Sequence, residues 1–199
     1  MYKIGTFNKI SPVGLGKLTD AYSVVEDPNE AHGIILRSYD MHEMDFSDEL
    51  LAIGRAGAGT NNVPVDRCAE QGIVVFNAPG ANANAVKELV ICGLILAARN
   101  VPEGYAWAKT LKGSEGVGKQ IEKGKGQFAR TEIMGKTLGI IGLGAIGRLV
   151  ADAAIALGMD VIGYDAFIND AVREMLNPAV KVVDNLDELY PACDYISIH

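Results

Sequence analysis

Gly142-Leu143-Gly144-Ala145-Ile146-Gly147 has the G-x-G-x-x-G spacing, and the chemistry such a turn can do is to hold a phosphate. Alone the spacing means little. Here it follows an apolar run, Leu138–Ile141, and leads into a segment of helical pattern. Asp165 stands 18 residues after Gly147, where the next strand should end. Together these features read as a dinucleotide-binding turn. Gly142 permits the tight turn, Gly144 lets a pyrophosphate approach the backbone, and Gly147 lets helix and strand pack closely. The amides of Ala145 and Ile146 fall at a helix N-terminus, where free N–H groups and the helix dipole favour an anion. Asp165 can accept hydrogen bonds from ribose hydroxyls, and its charge opposes a 2′-phosphate. Ala166 and Phe167 follow it, with no arginine alongside. The expected cofactor is NAD rather than NADP.

A second turn could also hold an anion. In Arg55-Ala56-Gly57-Ala58-Gly59-Thr60 a strand-like run ends in glycines beside a guanidinium. Free amides in such a turn can form an anion nest, and arginine adds a bidentate donor. A plain strand-to-helix turn explains the same glycines equally well. Other candidates fall away. Gly113–Lys119 imitates a phosphate-binding P-loop, but Gln120 stands where a Ser or Thr should hold Mg²⁺, and no apolar strand precedes it. Gly135-Lys136-Thr137 fails because position 130 is Arg. The histidines, His32, His42 and His199, are too scattered to suggest a metal set. Asp45, Asp48 and Glu49 read as a solvated face.

The elements that must position these turns follow from periodicity. Tyr2–Phe7, Ser23–Glu26, Gly33–Arg37, Leu51–Arg55 and Ile73–Asn77 read as strands, with Val63–Gln71 a short helix closed by Gly72. Asn82–Arg99 reads as a long helix apolar on all sides, the mark of burial between layers or domains. Pro102–Leu111 could be helical. Lys112–Gly126, rich in Gly and charge and without periodicity, reads as an exposed connection. Thr137–Ile141, Asp160–Tyr164, Val180–Val183 and Tyr195–Ile198 then read as strands, with helices over Ala145–Leu157, Ala171–Leu176 and Leu186–Leu189. Alternating strand and helix predicts parallel sheets.

The chain has 199 residues and a net charge of −7, with 49% hydrophobic and 22% charged residues. This suits a globular α/β protein, and the acidic balance argues against a nucleic-acid partner. Cys68, Cys92 and Cys193 are odd in number and far apart, which suggests neither disulfides nor zinc and fits a reducing cytoplasm. The longest apolar run, Leu89–Ala98, is too short to cross a bilayer, and the start of the chain does not resemble a signal peptide.

At these residues the sequence resembles the D-isomer-specific 2-hydroxyacid dehydrogenase family. The likeness runs from Gly54–Val63 through Gly72–Pro79 and Asn82 with Glu88, continues through Gly135–Gly142 and the glycine turn, and ends at Cys193–His199. It implies a flavodoxin-like substrate domain part over residues 1–99, then an incomplete Rossmann domain, a doubly wound parallel sheet binding NAD, over 100–199. It also implies roles. The amides of Ala58 and Gly59 would hold the substrate carboxylate, Arg55 would face a phosphorylated substrate, and Asn82 would line the cleft. Ala78 would lie near the nicotinamide and His199 at a strand end on the adenosine side. Ala78 stands where relatives often carry Thr, and Lys87 where they often carry Ala. The helix from Asn82 would cross between domains, with a hinge near Arg99.

The family's catalytic Arg, Glu and His are expected beyond His199, so no catalytic residue is assigned within the chain. Only four strands follow Lys136, short of the two halves of a dinucleotide fold, and the first unit should receive a returning C-terminal segment. The chain therefore reads as an N-terminal fragment, inactive by itself, of a homodimeric oxidoreductase. Its expected partner is a small 2-hydroxy or 2-oxo acid, with glyoxylate or hydroxypyruvate as rivals to a phosphorylated substrate. A non-catalytic NAD(H)-sensing module is the alternative of another class.

Overall fold

Short runs of Val, Ile, Gly and Ala, each too short to bury itself, pair side by side in the first eighty residues. In the computed structural model, which describes residues 1–199, they are β1 (Tyr2–Thr6), β2 (Tyr22–Val24), β3 (Gly33–Leu36), β4 (Ala52–Arg55) and β5 (Val74–Asn77), with short helices α1 (Pro12–Leu15) and α2 (Val65–Glu70) between them. All neighbours pair in parallel in the order β2-β1-β3-β4-β5. This is the flavodoxin-like order, as the resemblance implied.

The register aligns Gly5, Ile34, Ile53 and Val75 across the sheet. Ile34 and Ile53 are buried on that face with Leu36, Met41, Leu50, Val63, Cys68 and Ile73. The β3–β4 connection has no helix, yet it drives Met41 and Leu50 into this core. Arg67 of α2 holds it there, donating to the carbonyls of Met41 (3.0 Å) and Met44 (2.7 Å) while its guanidinium lies 4.5 Å from the centre of the Phe46 ring. On the opposite face Val24, Val74 and Phe76 are half exposed or more.

The remaining residues fold as α3 (Ala83–Arg99), α4 (Val101–Thr110), α5 (Val117–Gly124), β6 (Thr137–Ile141), α6 (Ala145–Ala156), β7 (Asp160–Tyr164), α7 (Asp170–Glu174), β8 (Val180–Val182), α8 (Leu186–Leu189) and β9 (Tyr195–Ile198). The four strands are parallel in the order β8-β7-β6-β9. One half of a doubly wound fold is therefore present, together with the first strand of the other side. Leu138 and Ile140 of β6 bury against Val150, Ala151 and Ala154 of α6 and Leu94 of α3, while Ile162, Val183 and Leu189 close a smaller cluster.

Two expectations need correction. The long helix was expected to be apolar all round and to end the first domain at residue 99. The chain divides instead into Met1–Asn82 and Ala83–His199, because α3 packs along α6. Only Ala83, Leu94 and Ala98 of α3 are buried, and Leu89 is 72% exposed. The helix thus covers the second sheet with one stripe. Lys112–Gly126 was expected to be an irregular connection, but it contains α5. Val117, Ile121 and Gly124 fall at helical spacing, and the absent side chain of Gly124 makes room for Trp107, whose ring stands 5.2 Å from that of Phe128.

Asp194 ties the start of β9 to the start of β6. Its Oδ2 accepts from the Thr137 N–H at 2.9 Å, its own N–H returns to the Thr137 carbonyl at 2.9 Å, and Lys136 Nζ lies 3.5 Å from Oδ1. The Thr137 N–H, with help from the Lys136 charge and against desolvation, holds the Asp194 carboxyl below its ordinary range. Its folded-state value is thus depressed, so the stability it contributes is complete above the unfolded-state value of about 3.9 and is lost as pH falls through the lower folded value. Asp194→Asn should flatten the fall of the melting temperature between about pH 5 and pH 2. Equal slopes in the variant and the parent protein would remove this assignment.

Candidate functional site

The second unit gathers its predicted residues at the carboxyl ends of its strands. At Gly142 the chain leaves β6 with φ +95°, a conformation open to glycine. The Gly142 N–H donates to the Tyr164 carbonyl at 2.8 Å, fixing the turn to the end of β7. On the other side the His199 N–H donates to Ile141 O at 2.9 Å, and the His199 carbonyl occupies the place of a Gly142 Cβ. Strand order reverses between β6 and β9, so the turn lies at the topological switch point, where open α/β sheets hold their ligands.

Gly147, buried in the first turn of α6, lies directly over Gly142, whose carbonyl oxygen a Cβ on Gly147 would strike. Gly144, by contrast, is exposed at the helix start, and a Cβ there would meet no heavy atom within 4 Å. The first intrahelical donor is Arg148, to Gly144 O at 3.1 Å. The amides of Ala145 and Ile146 precede it, and no side chain caps the helix. Open space above Gly144, free amides and the positive end of a 12-residue helix together make a cradle for a pyrophosphate.

Asp165 follows β7 and faces this turn. Its Oδ2 accepts from the Leu143 N–H and its Oδ1 from the Phe167 N–H, both at 2.8 Å. Each oxygen keeps a lone pair for a ribose hydroxyl. His199 stands at the end of β9 with its Nε2 2.9 Å from Ser197 Oγ, and desolvation pushes its pKa below the usual histidine value. Gly142, Gly144, Ala145, Ile146, Gly147, Asp165 and His199 are thus brought to one strand edge, and they fit a dinucleotide.

The first unit gathers Arg55, Ala58, Gly59 and Ala78. Four hydrogen bonds shape the turn after β4: Ala56 N to Leu36 O (2.7 Å), Gly57 N to Arg55 O (2.8 Å), Ala78 N to Gly57 O (2.9 Å) and Asn77 Nδ2 to Ala58 O (2.7 Å). They engage the carbonyls of Gly57 and Ala58 and leave the exposed amides of Ala58 and Gly59 as free donors. Arg55 donates from Nε to the Arg37 carbonyl at 3.1 Å, and its guanidinium fills the space beside Gly57. Asn82 is exposed at the end of this unit.

Sequence reasoning missed Asn77, which pins the Ala58 carbonyl, and Arg37, whose carbonyl orients Arg55. The signal for Arg37 was available. It is a cation directly after the strand run Ile34-Ile35-Leu36, one residue beyond the register partner of Arg55.

The three cysteines are free, no cluster of potential metal ligands occurs, and no helix is long and apolar enough to cross a membrane. Residues 91–199 match the family model of the D-isomer specific 2-hydroxyacid dehydrogenase NAD binding domain. The D-3-phosphoglycerate dehydrogenase of Methanocaldococcus jannaschii is 38% identical over 179 residues, 88% of this chain and 32% of that protein. The chain spans about a third of the length of the curated relatives it matches. Among solved structures, the NAD⁺-bound 3-phosphoglycerate dehydrogenase of Entamoeba histolytica is similar at 26% identity with a TM-score of 0.69, over 100% of this chain and 62% of that one. An NADPH-dependent glyoxylate/hydroxypyruvate reductase of Sinorhizobium meliloti has a TM-score of 0.79 at 22% identity, over 100% of this chain and 63% of that one, a likeness of fold. The matched domain binds NAD, and NAD is the cofactor that the glycine turn and Asp165 fit. By the match over more than half its length, the chain belongs to the D-isomer specific 2-hydroxyacid dehydrogenase family.

Proposed function

We propose that the protein carrying this chain oxidises D-3-phosphoglycerate to 3-phosphohydroxypyruvate with NAD, the reaction that feeds serine synthesis. The observation that carries this reading is the turn after β4, where the exposed amides of Ala58 and Gly59 make no hydrogen bond and the Arg55 guanidinium fills the space beside Gly57. Free amides suit a carboxylate, and an added arginine suits a second anionic group on the same small molecule. The 38% identical relative bears that enzyme's name. In this reading residues of the first unit hold the substrate, with Asn82 along the cleft and Ala78 toward the nicotinamide. The second unit holds the dinucleotide. Bound NAD would supply the acceptor for the hydride leaving C2 of the hydroxy acid. The Ala145 and Ile146 amides would hold its pyrophosphate and Asp165 its ribose.

Proton transfer is assigned to groups outside these residues. None of the three histidines is assigned that role: His199 is tied to Ser197, His32 Nδ1 accepts from the Lys3 amide at 2.9 Å, and His42, 2.6 Å from Asp40, is not among the residues proposed to hold the substrate or the cofactor. A homodimer is proposed through α3, whose outward stripe of Leu89, Cys92, Gly93 and Leu96 is apolar and exposed. Sedimentation of the native protein as a monomer at micromolar concentration would remove that proposal.

The substrate is tested with Arg55→Ala in the native protein. The variant should lose about 10- to 100-fold in kcat/KM with 3-phosphohydroxypyruvate and NADH, and far less with hydroxypyruvate or glyoxylate. Equal losses on all three would favour an unphosphorylated 2-oxo acid as substrate. The absence of turnover with any of them would favour an NAD(H)-sensing module.

A further inference from the structure

Arg148 is the one cation of α6, and it stands near the helix start, where a cation is least favoured. The dipole puts positive potential there, so an arginine opposes it and would sit better in the last turn, which carries no basic residue. Four residues on, at the spacing where helical side chains pair, comes Asp152, the only acid of α6. The pair does not form. Asp152 Oδ1 accepts instead from Asn177 Nδ2 at 3.2 Å, and Arg148 enters no ion pair. Asn177 is itself fixed at the turn into β8, where its Oδ1 accepts from the Ala179 N–H at 3.0 Å and its carbonyl from the Val180 N–H at 2.9 Å. The acid that would neutralise Arg148 is thus held by another element.

Helical residues advance by about 100° each, so position 148 projects between Gly144 and Ala145 of the turn before it. Helical side chains also lean toward the N-terminus and cover the preceding turn. Half-buried Arg148 therefore flanks the Gly144–Ala145 step, the floor of the pyrophosphate cradle. It does not fill that floor, since a Cβ on Gly144 would meet no heavy atom within 4 Å.

We propose that Arg148 is a further cofactor-binding residue, whose guanidinium takes an outer oxygen of the dinucleotide pyrophosphate, and that Asn177 is a positioning residue that keeps Asp152 from neutralising it. The inference rests on the placement of the pyrophosphate over Gly144 described above. The cradle amides donate hydrogen bonds but carry no net charge, whereas a diphosphate is an anion, and a guanidinium answers both its charge and its geometry. A cation set against the helix dipole is a local cost that the bound anion offsets.

The test titrates NADH by fluorescence into the native protein and its variants. Arg148→Gln should bind NADH about tenfold more weakly, lose less affinity than the parent protein as salt is raised, and melt no lower without cofactor. Arg148→Lys should retain most of the affinity. Asn177→Asp keeps the acceptor for the Ala179 N–H and removes the donor to Asp152, so it should weaken NADH about two- to threefold. Adding Asp152→Asn restores that contact with donor and acceptor exchanged and should recover the loss. If Arg148→Gln binds NADH as the parent protein does while Gly144→Ala binds it weakly, the role of Arg148 is overturned and the cradle stands. Unchanged affinity in both variants would overturn the cradle as well. A lower melting temperature of cofactor-free Arg148→Gln would make the arginine a packing residue and overturn the proposal, and unchanged affinity in Asn177→Asp would overturn the positioning role.

Discussion

Replacing Gly147 by alanine will unfold the nucleotide turn and abolish NAD binding together, whereas the same change at Gly144 will impair binding alone. A Cβ on Gly147 falls on the Gly142 carbonyl oxygen and within 3.2 Å of Ile140 Cγ2. The first obstacle is backbone, held by the Gly142–Tyr164 hydrogen bond at 2.8 Å, and the second belongs to a side chain wholly buried in the core. Neither can retreat without moving α6 off β6, so Gly147→Ala should cost about 3 kcal/mol or more. Gly144 has φ −70°, which alanine adopts, and a Cβ there meets nothing within 4 Å. Gly144→Ala should leave the melting temperature near that of the parent protein and weaken NADH by about 10- to 100-fold, because the methyl group occupies the anion's approach. Thermal melting with NADH titration by fluorescence separates the two effects. Equal loss of stability in both variants would show that Gly144 serves packing and not the cofactor.

The contrast explains what was legible in the sequence. β6, β7, α8 and β9 were read to the residue because each apolar run or helical turn is bounded by residues that end it. The three glycines were assigned their jobs from the spacing, and the structure gives Gly142 its positive φ and Gly147 its close contact. α5 was hidden because its helical spacing is carried by Val117, Ile121 and a glycine, amid lysines that mask the period. The partner of α3 was hidden for another reason. Periodicity reports that a stripe will be covered, but not which element covers it, so the boundary fell 17 residues late. Asn8 and the segment after β3 were illegible as neighbours in a stronger sense. They meet because β1 lies beside β3 and β3 beside β4, and Asn8 reaches amides 29 to 31 residues away. Local pattern contains nothing of that order.

Asp165 carries the other large expected effect, since one carboxylate bonds the fold and, in the proposed reading, the cofactor as well. Leu143 is wholly buried, and its N–H has Asp165 Oδ2 as acceptor at 2.8 Å. Asp165→Ala leaves that donor unpaired, at a cost of about 1–3 kcal/mol. It also removes the acceptor for the ribose hydroxyls, so NADH should bind about 10- to 100-fold more weakly. Asp165→Asn separates the two roles, because its amide oxygen can still accept from Leu143 while the negative charge is gone. Its melting temperature should stay close to that of the parent protein. Its preference for NADH over NADPH should shrink, since the repulsion of a 2′-phosphate has been removed and no cation has been added. Binding of both cofactors to the three proteins is read by fluorescence titration. If Asp165→Asn discriminates against NADPH as strongly as the parent protein, the charge of Asp165 does not set the choice. Another group near the ribose would then have to set it.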